Sequence, residues 1–169
     1  MKFVSEKLPD LHALYVQQLR LLLSCEELII RGMPRMAERA TDGQLKKEIE
    51  AHLLESETHA ERLKTILARA GGEHEPLKCK TILSLLDEAD SMVEDAAHDA
   101  VRDAAVVAAL QRIEHYEIAA YGAMRHFAQV LGLSEDALLL DKSAHEEGDA
   151  DHMLTEIAYR VNPTARKAA

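Results

Sequence analysis

The chain has 169 residues and a mass of 18.8 kDa, the length of one domain with room for a buried core. Hydrophobic residues make up 47%, which argues against disorder, and with no Trp the interior must be built from Leu, Ile, Val, Ala and Met. Thirty acidic against 20 basic residues give a net charge of −10, which excludes a nucleic-acid binder that neutralises phosphates and a protein that docks on an anionic membrane; cations are the natural counter-charge.

Gly (7) and Pro (4) are scarce, so the pattern favours long helices and few turns. The first helix is expected from Ser5 to Arg39, with Pro34 kinking it. Asp42 is the expected N-cap of a second helix that runs to Ala70 and stops at Gly71-Gly72. A looser stretch from Glu73 to Lys80 leads to a short helix over Thr81 to Ala97. A third long helix spans Asp99 to Leu131 and stops at Gly132. Ser134 is read as the cap of the fourth, which ends at Asn162-Pro163. The domain is therefore residues 1–163, followed by a frayed tail, 164–169. Two tight helix pairs joined by a long connection predict an all-α, ferritin-like four-helix bundle whose crossover carries a short fifth helix.

The N-terminus lacks the apolar stretch of a signal peptide, and no apolar run reaches the roughly 20 residues of a membrane span. A cytoplasmic location is the expectation. Cys25 and Cys79 make no disulfide framework and no CxxC, and read as small buried hydrophobes in a reducing compartment.

The apolar stripes carry the informative anomaly. The first helix reads Leu11, Tyr15, Leu19, Leu22, Glu26, Ile29, Met33. The third long helix reads Val107, Leu110, Glu114, Glu117, Tyr121, Met124, Ala128. The fourth reads Ala137, Leu140, Ala144, Glu147, Asp151, Leu154, Ala158. The second reads Ile49, Leu53, Ser56, Ala60, Leu63, with His52, Glu55 and His59 along its edge. Each long helix thus brings a carboxylate to or beside its inner face. One buried carboxylate is costly, and several converging ones require a cation. Iron and manganese suit carboxylate and imidazole ligands. Level matching supports convergence: Glu26 and Glu55 straddle the first turn, and Glu114 and Glu147 straddle Leu131-Gly132.

Each residue also has a plainer reading. Glu26, Glu114 and Glu147 are rim residues if the stripes are misphased. Glu117 and Asp151 are ligands, ligand supports or salt-bridged core residues. His52 stands between ligand and hydrogen-bonded interior histidine, while His59 reads as partly exposed. His98, His115, His126, His145 and His152 read as pointing away from the site. Tyr121 either donates to a site carboxylate or is an ordinary core aromatic.

The stretch Glu114-His115-Tyr116-Glu117-Ile118-Ala119-Ala120-Tyr121-Gly122 resembles the YciE/YciF stress-protein family. His52-Leu53-Leu54-Glu55, Arg102-Asp103-Ala104-Ala105, Glu146-Glu147 with Asp151, Pro34-Arg35-Met36-Ala37 and Leu131-Gly132 fit as well. The resemblance implies a five-helix fold similar to rubrerythrins, a homodimer and a di-metal centre. It matches Glu26, Glu55, Glu114 and Glu147 to the four core carboxylates and Glu117 to the extra glutamate of rubrerythrin-like sites. Thr58 and Ala150 stand where a Glu-x-x-His pattern places histidine. Whether His52, His59 or Asp151 replaces those imidazoles stays open.

The full candidate set is therefore Glu26, His52, Glu55, Glu114, Glu117, Glu147 and Asp151, holding two metal ions, iron before manganese. Glu55, Glu147 or both would bridge them. The leading functional reading is a stress protein that reduces O2 or peroxide at a di-iron centre fed by an unidentified electron donor. The alternatives are a dimeric helical scaffold with a structural or vestigial metal, and an iron store. No nucleophile constellation or Gly-rich phosphate loop is present.

Overall fold

Helix starts and stops follow from local capping chemistry. The computed structural model describes residues 7–71 and 75–168. The expected helix start at Ser5, Gly72, the loose stretch at 73–74 and the final residue of the tail lie outside them. Helix α1 spans Leu11–Arg39, and the Asp10 side chain accepts from the Ala13 amide at 2.8 Å. Helix α2 spans Gly43–Ala70, with Asp42 accepting from the Gln44 and Leu45 amides, a cap worth about 1 kcal/mol. It ends on Gly71, whose φ of 67° is the left-handed conformation that glycine adopts without strain.

Helix α3 spans Lys80–Asp95, α4 Asp99–Val130 and α5 Ser134–Ala165. Gly132, at φ 73°, turns the chain between α4 and α5. No strand occurs among the described residues.

Two boundaries differ from expectation. Ser134 is the first residue of α5 rather than its cap, and Leu133 precedes it without a side-chain cap bond. Helix α5 also runs through Pro163 to Ala165. Proline's fixed φ is helical, so near a helix end it costs one hydrogen bond without stopping the chain.

Helix α1 packs on α2 and α4 on α5, forming two hairpins. The hairpins meet through α1 against α4 and α2 against α5, while α3 packs on α4 and α1. The α1 and α4 stripes are inside as read, apart from a half-buried Leu11. Tyr15, Leu19, Leu22, Ile29 and Met33 of α1 face Val107, Leu110, Met124 and Ala128 of α4 within one core.

Asp103 of α4 ties the hairpins together. Its carboxyl oxygens accept from the Thr41 amide at 2.7 Å, the Thr41 hydroxyl at 2.6 Å and the Asp42 amide at 3.0 Å. Thr41 is exposed, so water can satisfy part of what Asp103 leaves behind. Asp103→Ala is therefore expected to cost about 2 kcal/mol of folding stability, read from urea or thermal melts with the helix content of the folded baseline unchanged.

Candidate metal centre

Four helices deliver polar side chains to one level of the apolar core. Glu26 comes from α1, His52 and His59 from α2, Glu114 and Glu117 from α4, and Glu147 from α5; all are buried. His52 Nε2 lies 3.6 Å from Glu114 Oε1 and 3.7 Å from Glu147 Oε2. His59 Nδ1 lies 2.8 Å from Glu147 Oε1 and 3.6 Å from Glu26 Oε1. Two donor groups result: His52, Glu114, Glu117 and Glu147, and Glu26, His59 and Glu147. Within each, one ligand atom per residue lies within 4.8 Å of all the others. Glu147 belongs to both.

Several of these atoms have no partner within the protein. Glu26 Oε2, Glu114 Oε2, both Glu117 oxygens, Glu147 Oε2 and both His52 nitrogens are buried without a hydrogen bond. Native interiors rarely leave such groups unsatisfied, and a cluster of them facing one another fits bound cations. The donor chemistry, carboxylate plus imidazole, fits iron or manganese. The residues present therefore suit a two-metal site, with Glu147 placed to serve both ions.

The electrostatics follow from burial. Desolvation, then the neighbouring carboxylates, pushes the Glu114 and Glu117 carboxyls well above the ordinary range. Burial also raises Glu26, against the opposing pull of His59 and Tyr121. Burial pushes His52 down. Burial acts the same way on His59, but Glu147 and Glu26 outweigh it and raise that imidazole to about 10.

An outer layer fixes the orientation of these groups. His59 Nε2 lies 2.9 Å from Glu146 Oε2, and the Arg62 guanidinium grips Glu146 through both of its outer nitrogens while donating to Ser143 Oγ at 3.0 Å. When His59 Nε2–H donates to Glu146, Nδ1 is left with its lone pair toward Glu26 and Glu147. That is how an outer carboxylate sets the tautomer of a metal-binding histidine. Tyr121 donates its hydroxyl hydrogen to Glu26 Oε1 and sets its ring edge-on to His59, with centroids 5.7 Å apart.

Of the seven candidates, Glu26, His52, Glu114, Glu117 and Glu147 are brought together. Glu55 and Asp151 are not. Glu55 lies at the edge of the α2 stripe, 48% exposed, 3.8 Å from His52 Nδ1. Asp151 is 21% exposed and engages Gln111 Nε2 at 3.4 Å and His115 Nε2 at 3.5 Å. The α5 stripe runs through Ser143, Glu147, Ala150, Leu154 and Ile157 rather than Ala144, Asp151 and Ala158.

His59 reverses its expected place: it is 0% exposed and central. The expected α2 stripe is buried at Ile49, Ser56, Ala60 and Leu63 and only half-buried at Leu53, while His52 and His59, expected at its edge, are fully inside. His98, His115, His126, His145 and His152 are exposed, as expected.

A profile described as Domain of unknown function (DUF892) matches residues 10–167. The chain belongs to this family. Protein YciF of Escherichia coli (strain K12) is 33% identical over 146 residues, 86% of this chain and 87% of that protein. The crystal structure of the E. coli stress protein YciF superposes with a TM-score of 0.88 at 29% identity, covering 92% of this chain and 99% of that one. YcfI of Rhodopseudomonas palustris superposes with a TM-score of 0.87 at 33% identity, covering 90% and 98%. The resemblance read from the Glu114–Gly122 stretch is borne out.

Carboxyls with raised folded values stabilise the fold below their ordinary value of 4.5, and that contribution is lost as pH climbs through the raised values. His59 acts in the same direction, its contribution present below 6.5 and lost as pH rises through about 10. Chelated protein is thus expected to melt at a lower temperature at pH 8 than at pH 5.5. Glu117→Gln, which keeps the shape and cannot ionise, should raise the chelated protein's melting midpoint at pH 8 by several degrees and reduce the pH dependence.

Proposed function

We propose that this protein is a ferritin-like di-metal carboxylate protein that protects cells under stress by reducing O2 or peroxide. Iron is the metal favoured by the donor set, with manganese next. The observation that supports this most directly is the pair of buried donor groups sharing Glu147. The two helix hairpins, linked by a segment that carries α3, support the ferritin-like reading. The E. coli relative's description as a stress protein supports the physiological setting. No described helix is long and apolar enough to cross a membrane.

In this reading His52, Glu114, Glu117 and Glu147 hold one ion, and Glu26, His59 and Glu147 hold the other. Bound iron would supply the electrons that reduce the oxidant. The chain's own residues exclude water, fix the ligands and hold protons. Leu110, Met33 and Leu154 wall the cluster, and a cleft of about 10 Å³ beside Ile49 and Ala150 reaches His52 and Glu114. Such a cleft is about the size of a single water molecule. Tyr121 holds its proton on Glu26, and Glu146 holds one on His59 Nε2.

A two-fold homodimer is the proposed assembly, tested by light scattering. The scaffold alternative draws support from Glu55, which the leading reading counted as a bridge and which is half exposed. Metal titration separates the leading reading from a scaffold with a vestigial site, and rapid aerobic oxidation of added Fe(II), expected only for the leading reading, separates it from a scaffold with a structural metal. Fe(II) or Mn(II) is expected to bind at two ions per chain and to raise the melting midpoint, since an ion at 100 times its Kd stabilises by about 2.7 kcal/mol. Glu147→Ala should abolish that gain, Glu146→Ala should weaken affinity about 10- to 100-fold, and Asp151→Ala should change little. Identical melts with and without metal would leave only the scaffold.

A further inference from the structure

A second meeting of reactive side chains lies beside the carboxylate cluster. Cys25 sits on α1, next to Glu26, and Cys79 is the residue before α3. They are 54 positions apart, yet their sulfurs are 3.0 Å from each other. Both residues are buried, and they are the chain's only two cysteines. The Tyr116 hydroxyl of α4 lies 3.7 Å from Cys79 Sγ and 3.9 Å from Cys25 Sγ.

The backbone on both sides is held. The Cys79 amide donates to Ser24 Oγ at 3.2 Å, and the Leu77 amide donates to the Arg20 carbonyl at 3.2 Å. Arg20 Nε donates to the Glu75 carbonyl at 2.9 Å. The segment leading into α3 is therefore tied to α1 at several points within one and a half turns of Cys25. A disulfide needs the two sulfurs at about 2.0 Å, an approach of about 1 Å from where they stand.

We propose that Cys25 and Cys79 form a peroxide-oxidisable dithiol that closes to an intramolecular disulfide and clamps the crossover to α1. The chemistry balances with hydrogen peroxide as oxidant. The Cys79 thiolate attacks one peroxide oxygen; an S–O bond forms, the O–O bond breaks, and the departing hydroxide takes up the proton that the Cys79 thiol released on ionising and leaves as water. The Cys25 sulfur then attacks Cys79; the S–S bond forms, the S–O bond breaks, and a second water leaves with the Cys25 proton. The two sulfurs together lose two electrons and the peroxide gains them. A small-molecule thiol reverses the step.

Cys79 suits the attacking role by position, since it is the residue at the N-terminal end of α3 and its sulfur meets that of Cys25. The Cys25 hydrogen bond holds its thiol at about 5 against the opposing effect of burial. Because Cys79 is almost fully buried, the peroxide reaches it through local opening of the irregular segment before α3.

The test uses the whole chain in chelator, so that the outcome does not depend on bound metal and is separable from the metal reading. Hydrogen peroxide is expected to reduce the thiols titratable in denaturant from two to none and to lower the intact mass by two hydrogens. The product should remain a single chain on a non-reducing gel, and dithiothreitol should restore both thiols. Its melting midpoint should exceed that of the reduced chain, since a cross-link closes a long loop of the unfolded state. Cys25→Ser and Cys79→Ser should each fail to lose the two hydrogens, and in Cys25→Ser a sulfenic-acid probe should label Cys79. Two thiols surviving peroxide, one cysteine over-oxidised beside a free partner, or a disulfide joining two chains would overturn the proposal.

Discussion

Four carboxyl groups and two imidazoles share the dry interior of a bundle whose other inward residues are almost all apolar. Two unit charges 4 Å apart interact by about 4 kcal/mol even at an effective dielectric of 20. A domain of this size has a total folding stability of only about 5–15 kcal/mol. Full ionisation of the cluster is therefore incompatible with the fold unless opposite charge enters it. Protons on Glu114 and Glu117, a charged His59 and bound cations are the available neutralisers. The first two belong to the chain, and with them in place oxygens of Glu26, Glu114, Glu117 and Glu147 still have no hydrogen-bond partner.

That constraint explains features that have no role in a plain bundle. His59 faces Glu26 and Glu147 on one side and Glu146 on the other, so it serves in two protonation states without moving. Protonated, it is the buried counter-ion; neutral, with its remaining proton on Nε2, it turns the Nδ1 lone pair toward Glu26 and Glu147. Arg62 then matters because it keeps Glu146 ionised and aimed, and burial alone would otherwise favour the neutral acid. Asp103 works at the other end of the same problem. By bracketing the α1–α2 turn from α4, it helps fix the relative level of the two hairpins, and level decides whether donors from four helices meet.

The parts of this arrangement legible in the sequence are those where helical periodicity leaves one answer. Glu26 falls between Leu22 and Ile29, and Glu114 and Glu117 fall between Leu110 and Tyr121; either alignment puts them inside. Helices α2 and α5 are different, because a stripe can advance by three or by four residues at each step. Leu53 and Ala60 offered one path down α2, and His52 and His59 offered another about 60–100° around the helix. Both paths reach the interior, at Ala60 on the first and at His52 and His59 on the second, so the buried face of α2 is wider than the single apolar stripe that puts His59 at its edge. On α5 the same ambiguity exchanged Ala150 for Asp151. Level counting was sound, since α1 ends at Arg39 and α2 starts at Gly43 and the residue level with Glu26 lies near Ser56, one position from Glu55; Glu55 fails on facing, and the buried histidines about one turn to either side, His52 and His59, are the ones that point inward.

The proximity of Cys25 and Cys79 was invisible for another reason: it depends on where an irregular segment crosses α1, which no periodicity encodes. Successive residues on a helix point about 100° apart, so Glu26 and Cys25 face different neighbours from the same turn. Glu26 is held by Tyr121 of α4, while Ser24, Cys25 and Arg20 are held by the segment entering α3. Tyr116, on the same helix as Glu114, Glu117 and Tyr121, closes the gap between the sulfurs and α4. Helix α1 is thus gripped on two sides at the height of the cluster. A shift of the segment entering α3 would move the turn that carries Glu26, so the segment joining the hairpins is part of what positions the cluster.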